Sequence, residues 1–197
     1  MKRAGRTVLT LGVLMLMLGG CATSPGSQAD RAALTSNVQS TIQEFTARDV
    51  GMAALFDQAH GYAVFPSVGK GGFVVGGAYG RGQAFENGEL IGYCKLEQGT
   101  VGLQAGGQAY SEVIFFEDQI ALDRFRYNSL ELSAQVSAVA ATAGASADAR
   151  YSNGVMVFTM PRGGLMFEAS VGGQGFTFEP LEEQPGADKP KPVSGGR

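Results

Sequence analysis

Leu34, Val38, Ile42 and Phe45 recur at steps of four, four and three, one face of a helix, with Asp30 placed to cap it. Gly51 breaks that period. Met52, Leu55, Phe56 and Ala59 mark a second short helix, which Gly61 ends as a C-cap would. The period then changes to two. Tyr62–Phe65 reads as a strand stopped by Pro66. Gly72–Tyr79 follows, with Phe73, Val75, Gly77 and Tyr79 on one face. Asn87-Gly88 is a strong hairpin signal between Gln83–Phe85 and Leu90–Leu96. Thr100–Ala109 and Tyr110–Phe116 continue the strands, and Asp118 caps a short helix carrying Ile120, Ala121, Leu122 and Phe125. Alternation from Leu130 to Ala140 predicts another strand. Asn153-Gly154 predicts a hairpin between Ser146–Tyr151 and Val155–Met160. Pro161-Arg162-Gly163-Gly164 reads as a turn into Leu165–Val171, and Gly172-Gly173 precedes Gln174–Phe178.

The first residues follow a different rule. Lys2, Arg3 and Arg6 precede an apolar run from Val8 to Leu18, closed by Gly19-Gly20-Cys21. The run is shorter than the roughly 20 residues needed to span a bilayer. A basic start, a short apolar stretch and small residues before a cut site describe a secretory signal. A cysteine directly after them resembles a bacterial lipoprotein signal. That resemblance implies acylation of Cys21, cleavage before it and anchoring by two or three acyl chains, enough for stable attachment. Ala22 stands where an inner-membrane retention signal would have Asp, which by resemblance to Gram-negative sorting implies the outer membrane.

A 20-residue leader leaves 177 of the 197 residues, room for one domain with a sizeable core. Loss of the leader's three basic residues takes the formal charge from −3 to −6. No basic stripe marks a nucleic-acid partner. With Cys21 given to lipid, Cys94 is left alone, so no internal disulfide is expected, and it reads as a strand thiol. The predicted organisation is a leader over 1–20, a polar tether over 21–29, one domain over 30–179 and a disordered tail over 180–197 rich in Pro, Gly, Glu and Lys.

Glycine is the outlying residue, 30 of 197. Val75-Gly76-Gly77-Ala78-Tyr79, Ala105-Gly106-Gly107-Gln108-Ala109-Tyr110 and Val171-Gly172-Gly173-Gln174-Gly175-Phe176 echo one another without a fixed period. Glycine inside strands permits bulges and strong curvature, so these predict a sheet that coils toward a partial barrel. The alternative is a surface where a ligand approaches bare backbone.

Motifs for catalysis are absent. A phosphate loop around Gly69-Lys70 would need Gly at 64 and Ser or Thr at 71, where Val64 and Gly71 stand. A dinucleotide fingerprint from Gly69 would need Gly or Ala at 74, where Val74 stands. His60, the single histidine, has no nucleophile motif near it and is expected at the end of the second helix. Glu112, Glu117, Asp118 and Asp123 cluster in sequence, which solvated faces and a helix cap explain. No metal site or cofactor is expected, and no enzyme. Lys70, Arg81 and Arg162 fall at or near glycine turns. If those turns share one edge, the three cations make a site for a phosphate headgroup, each adding roughly 1 kcal/mol near an anionic surface.

The run Gly61-Tyr62-Ala63-Val64-Phe65-Pro66-Ser67-Val68-Gly69-Lys70-Gly71-Gly72-Phe73-Val74-Val75-Gly76-Gly77-Ala78-Tyr79-Gly80-Arg81-Gly82 resembles the signature of the SYLF lipid-binding domain family. So do Gly102–Gln108, the helix with Ala121-Leu122 and Phe125, and Gly163-Gly164-Leu165, a likeness running from about Val38 to Phe178. It implies lipid binding, in eukaryotic members to phosphoinositides through an amphipathic helix and basic residues. Lys70 and Arg81 lie inside the matching run; Arg162 is added by its position near a glycine turn. This chain shows no SH3-like adaptor segment, so the endocytic and actin-linked roles of some relatives are not expected. A bacterial envelope offers little phosphoinositide, which leaves the headgroup open.

The expected fold is α+β: a strongly curved, mainly antiparallel, Gly-rich sheet with N-terminal helices and one mid-chain helix packed on it. The expected function is that of an envelope lipoprotein, anchored at Cys21, whose domain binds membrane phospholipid without turnover. The alternative is an interaction lipoprotein holding another envelope protein or a glycan.

Overall fold

Two long strands set the architecture. The computed structural model describes residues 23–128, 130–132 and 138–181. The leader, Cys21 and the tail from 182 lie outside the described residues. In chain order the elements are α1 (Gln28–Arg48), α2 (Gly51–Gln58), β1 (Gly61–Gly72), β2 (Val75–Glu86), β3 (Glu89–Phe116), α3 (Gln119–Arg126), β4 (Glu131–Leu132), β5 (Val139–Ala140), α4 (Ala145–Asp148) and β6 (Val155–Pro180). β3 and β6 pair antiparallel from Gly92 opposite Pro180 to Phe116 opposite Val155. The β1–β2 hairpin fits between the two arms of β3: β2 pairs with Glu89–Val101, and β1 with Gly106–Phe116. One strand can flank both sides of a hairpin only by doubling back, so the β3–β6 ribbon folds around it. β4 adds antiparallel to one arm of β6, at Gly175 and Gln174. β5 adds parallel to the other, at Phe158 and Thr159. The six-stranded sheet coils without closing, and the fold is α+β as expected.

The fold-back happens where side chains are missing. Gly102 and Gly106 in β3 take φ of 146° and 116°, a region L-residues rarely enter. Gly164 in β6 takes φ of 92°, and a Cβ there would collide with the carbonyl oxygen of Gly107. The glycine echoes gather at one end of the sheet: Gly71 opposes Gly77 and Gly107, and Gly99 opposes Gly77 and Gly173.

Strand alternation sorts the rest into two cores. Tyr62, Val64, Val113, Phe115, Met156 and Phe158 face α1 and α2, where Val38, Phe45 and Met52 are buried with them. Ala63, Phe65, Leu96, Ile114, Phe116 and Phe176 face the inside of the coil, which α3 plugs with Leu122 and Phe125. The Phe125 ring lies 5.0 Å from Phe116 and 5.5 Å from Phe176.

Several local expectations give way. α1 starts earlier than Asp30. Ser27 caps it, its Oγ accepting from the Asp30 amide at 3.1 Å and donating to Asp30 Oδ2 at 2.7 Å. The predicted tether is docked at its end, with the Ser24 amide donating to Glu179 Oε2 at 3.0 Å. Ala59, not Gly61, caps α2. Gly61 opens β1, where Phe85 O and the Leu122 side chain leave no room for a Cβ. Pro66 does not stop β1; a register shift between Val64 and Ser67 absorbs it. Gly69–Gly72 and Pro161–Gly164 are bent strand rather than turns. The predicted strand at 130–140 is represented by β4 and β5, with 133–137 outside the described residues. The predicted strand at 146–151 does not form: 146–148 belong to α4, whose Ser146 amide donates to Asp49 Oδ2 at 2.7 Å, and 149–151 are irregular.

Candidate functional site

The inside of the coil is apolar toward α3 and polar toward the glycine-rich end. There it holds a cavity of about 340 Å³ lined by Lys70, Gln98, Gln108, Tyr110, Glu112, Thr159 and Gln174, with Gly163 and Gly164 in its wall. The strands explain the lining. Glu112 and Tyr110 share a face of β3 with Ile114 and Phe116, so alternation turns them into the coil. Lys70 follows Val68 on β1 and is half-buried.

Glu112 is 1% exposed. Its Oε2 accepts from Gln174 Nε2 at 3.2 Å, and Gln174 Nε2 also lies 3.4 Å from Tyr110 Oη. These bonds cross the coil from one arm of β6 to the far arm of β3. Glu112 Oε1 is buried and has no hydrogen-bond partner. Burial pushes the Glu112 carboxyl up to about 7, although the Gln174 bond favours the ionised form. The sequence reading placed Glu112 on a solvated face; the structure corrects this. The signal was present, since Glu112 lies inside the apolar run that ends Val113-Ile114-Phe115-Phe116. Gln174 carried no such signal, because its partners come from a strand more than sixty residues earlier.

The three basic residues are not gathered. Lys70 lines the cavity, and neither Arg81 nor Arg162 does. All three sit on strands rather than at turns. Arg162 is on the α1 side, with Nε donating to Ser111 Oγ at 2.7 Å and Nη2 lying 3.1 Å from Glu44 Oε2. Arg81 is exposed on that same face, donating to Tyr79 Oη at 2.8 Å; Gln83, two residues on, reaches Thr35 of α1. Cys21 lies outside the described residues.

His60 follows α2, its Nε2 2.8 Å from Gln119 Oε1 and 3.2 Å from Glu86 Oε1. Cys94 is buried in the coil, and burial raises its thiol well above the ordinary value. Among the described residues no group of His, Cys, Asp and Glu could hold a metal ion, and no helix is long and apolar enough to cross a membrane.

One more feature stands at the glycine-rich end. The β1–β2 turn exposes Phe73 (74%), Val74 (53%) and Val75 (70%), and Val101, opposite Val75, is 65% exposed. The Val74 carbonyl accepts from the Gly102 amide at 3.0 Å, which ties the tip to the bend in β3.

The coiled, mainly antiparallel sheet thus carries a cavity with a polar lining and an exposed apolar tip. Residues 97–182, from within β3 through β6, match the Ysc84 family, described as a Las17-binding protein actin regulator. The chain is also 33% identical over 121 residues to Beta cell expansion factor A of Aeromonas veronii. That stretch is 60% of this chain and 46% of the relative, so the chain spans about half the length of the curated relative it matches. The resemblance to SYLF-type domains read from the sequence is thus shown over residues 97–182. Glu112, Arg162 and Gln174 lie within that stretch; Lys70 and Arg81 precede it.

Proposed function

We propose that this chain is a lipid-binding domain that works at a membrane surface without turnover, held there by acyl chains on Cys21 in the bacterial envelope, at the outer membrane. The observation that carries the reading is the tip at Phe73, Val74, Val75 and Val101. Four large apolar side chains exposed together, on a turn fixed by a backbone hydrogen bond, suit insertion among acyl chains. Lys70, three residues before Phe73, comes to the level of headgroup phosphates when the tip enters.

The test is vesicle flotation of a chain beginning at Ala22, which keeps every described residue and lacks the acylated cysteine. It is expected to float with phospholipid vesicles. Phe73→Ser with Val75→Ser is expected to weaken flotation about tenfold or more, since each buried apolar side chain contributes roughly 1.5–3 kcal/mol. Thermal stability is expected to stay unchanged, because both side chains are already exposed. Flotation that is absent with every lipid, or indifferent to the double substitution, refutes the reading.

The second reading, an interaction module for another envelope protein, draws on the Las17-binding description of the matched family. A protein crosslinked through the exposed face bearing Arg81, together with no lipid preference, would favour it.

A further inference from the structure

We propose that the cavity inside the coil takes a zwitterion of the phosphoethanolamine class, with its ammonium group on Glu112 and its phosphate at Lys70. This rests on the lipid-binding reading and names the chemistry its site selects.

Three observations carry it. Glu112 lines the cavity, and its Oε1 is buried with no hydrogen-bond partner. Leaving such an oxygen unsatisfied costs about 1–3 kcal/mol, so the site calls for a hydrogen-bond donor. A carboxylate offers only acceptors, and an ammonium group brings three donors. Gln98, Gln108, Tyr110 and Thr159 supply further oxygens around it.

Next comes the charge pattern. Among the described residues of the lining, Lys70 of β1 is the cation, Glu112 of β3 the carboxylate and Tyr110 the other titratable group. Opposite charges in one cavity favour a ligand that carries both over a simple anion or a simple amine. The third observation is size and wall. About 340 Å³ is within the range of small-molecule sites, and Gly163 and Gly164 present bare backbone to the occupant. Choline fits poorly, because a quaternary ammonium has no N–H to donate and is usually held by an aromatic cage. Among the described residues of the lining Tyr110 is the one aromatic.

Ammonium binding needs Glu112 ionised, and burial holds its carboxyl up to about 7. Below that pH the ligand must displace a proton, so affinity falls about tenfold per pH unit. Above it, affinity levels off.

The experiment titrates the full chain, in nonionic detergent, with O-phosphoethanolamine, O-phosphocholine and inorganic phosphate, by calorimetry at pH 8 and pH 6. Phosphoethanolamine is expected to bind at least tenfold more tightly than the other two at pH 8, and about tenfold more weakly at pH 6. Glu112→Gln keeps the side chain's shape and is expected to reduce phosphoethanolamine to the level of phosphate and abolish the pH effect. Lys70→Gln is expected to weaken phosphoethanolamine and phosphate alike. Equal binding of phosphate and phosphoethanolamine, unchanged binding by Glu112→Gln, or no binding at all overturns the proposal, leaving water as the partner of Glu112. Competition by detergent-dispersed phosphatidylethanolamine, but not phosphatidylcholine, assigns the group to a lipid; absence of competition assigns it to a free solute. Binding of the soluble ligand by a protein that floats with no vesicle would sink the membrane reading and leave this site standing.

Discussion

Glu112 ties the molecule's stability to pH. Its folded carboxyl is raised from 4.5 to about 7, and desolvation is the main cause. The sign follows directly. Below pH 4.5 both folded and unfolded chains hold the proton, and Glu112 exacts no penalty. As pH rises from 4.5 toward 7 the unfolded chain ionises while the folded one keeps its proton, so stability is lost, levelling off above the folded value. The loss is on the order of 3 kcal/mol for a shift from 4.5 to about 7. Glu112→Gln is therefore expected to raise stability at pH 8 and leave it nearly unchanged at pH 4; urea melts at the two pH values check it. Gly164 works by shape instead. With φ of 92° and the Gly107 carbonyl oxygen standing where a Cβ would go, Gly164→Ala is expected to cost about 2 kcal/mol or more, read as a lowered urea midpoint. An unchanged midpoint would mean that the ribbon bends without needing that backbone.

Between elements, Asp49 is the joint. Its Oδ1 accepts from the Gly51 amide at the start of α2, and its Oδ2 from the Ser146 amide in α4. Burial alone would raise its carboxyl. The bonds from Ser146, Gly51 and Gly144 outweigh that and hold it below the ordinary value. Asp49→Ala is expected to cost about 1–2 kcal/mol, measurable by thermal melting at pH 7. The deficit should shrink as pH falls through the wild-type carboxyl's folded value, because protonation then removes the same bonds from the wild type. At this scale the sequence is readable wherever the determinant is local. The α1 stripe, the Asp118 cap and the Asn87-Gly88 hairpin, with φ of 50° and 82°, form where the pattern puts them. It misleads where a distant partner decides. Pro66 is carried within a strand by a shift against β2 and β3, and the start of the run at 146–151 is taken into the short α4, whose Ser146 amide Asp49 holds.

Across the whole molecule, glycine content foretold a coiled sheet, and the reason is visible in the register. Glycines oppose glycines at the end where the ribbon doubles back. The placement of the three cations was not legible. Which face a strand residue takes depends on every shift before it, and a shift of one residue moves a side chain to the other side. Lys70 thus enters the cavity, while Arg81 and Arg162 remain on the α1 face. The cavity needed the fold too, because its lining comes together from β1, both arms of β3 and both arms of β6.

The ribbon has a consequence for the order in which the chain can assemble. β3 is complete at Phe116, yet its outer edge is covered only by β6, which begins at Val155 and is paired through to Pro180. Pairing of such distant segments is slow to form. During synthesis, or in a chain cut before Val155, β3 is a 28-residue strand with a bare edge. Edges of that kind recruit other chains. Of the strands described, the one made last is therefore also the molecule's protection against aggregation.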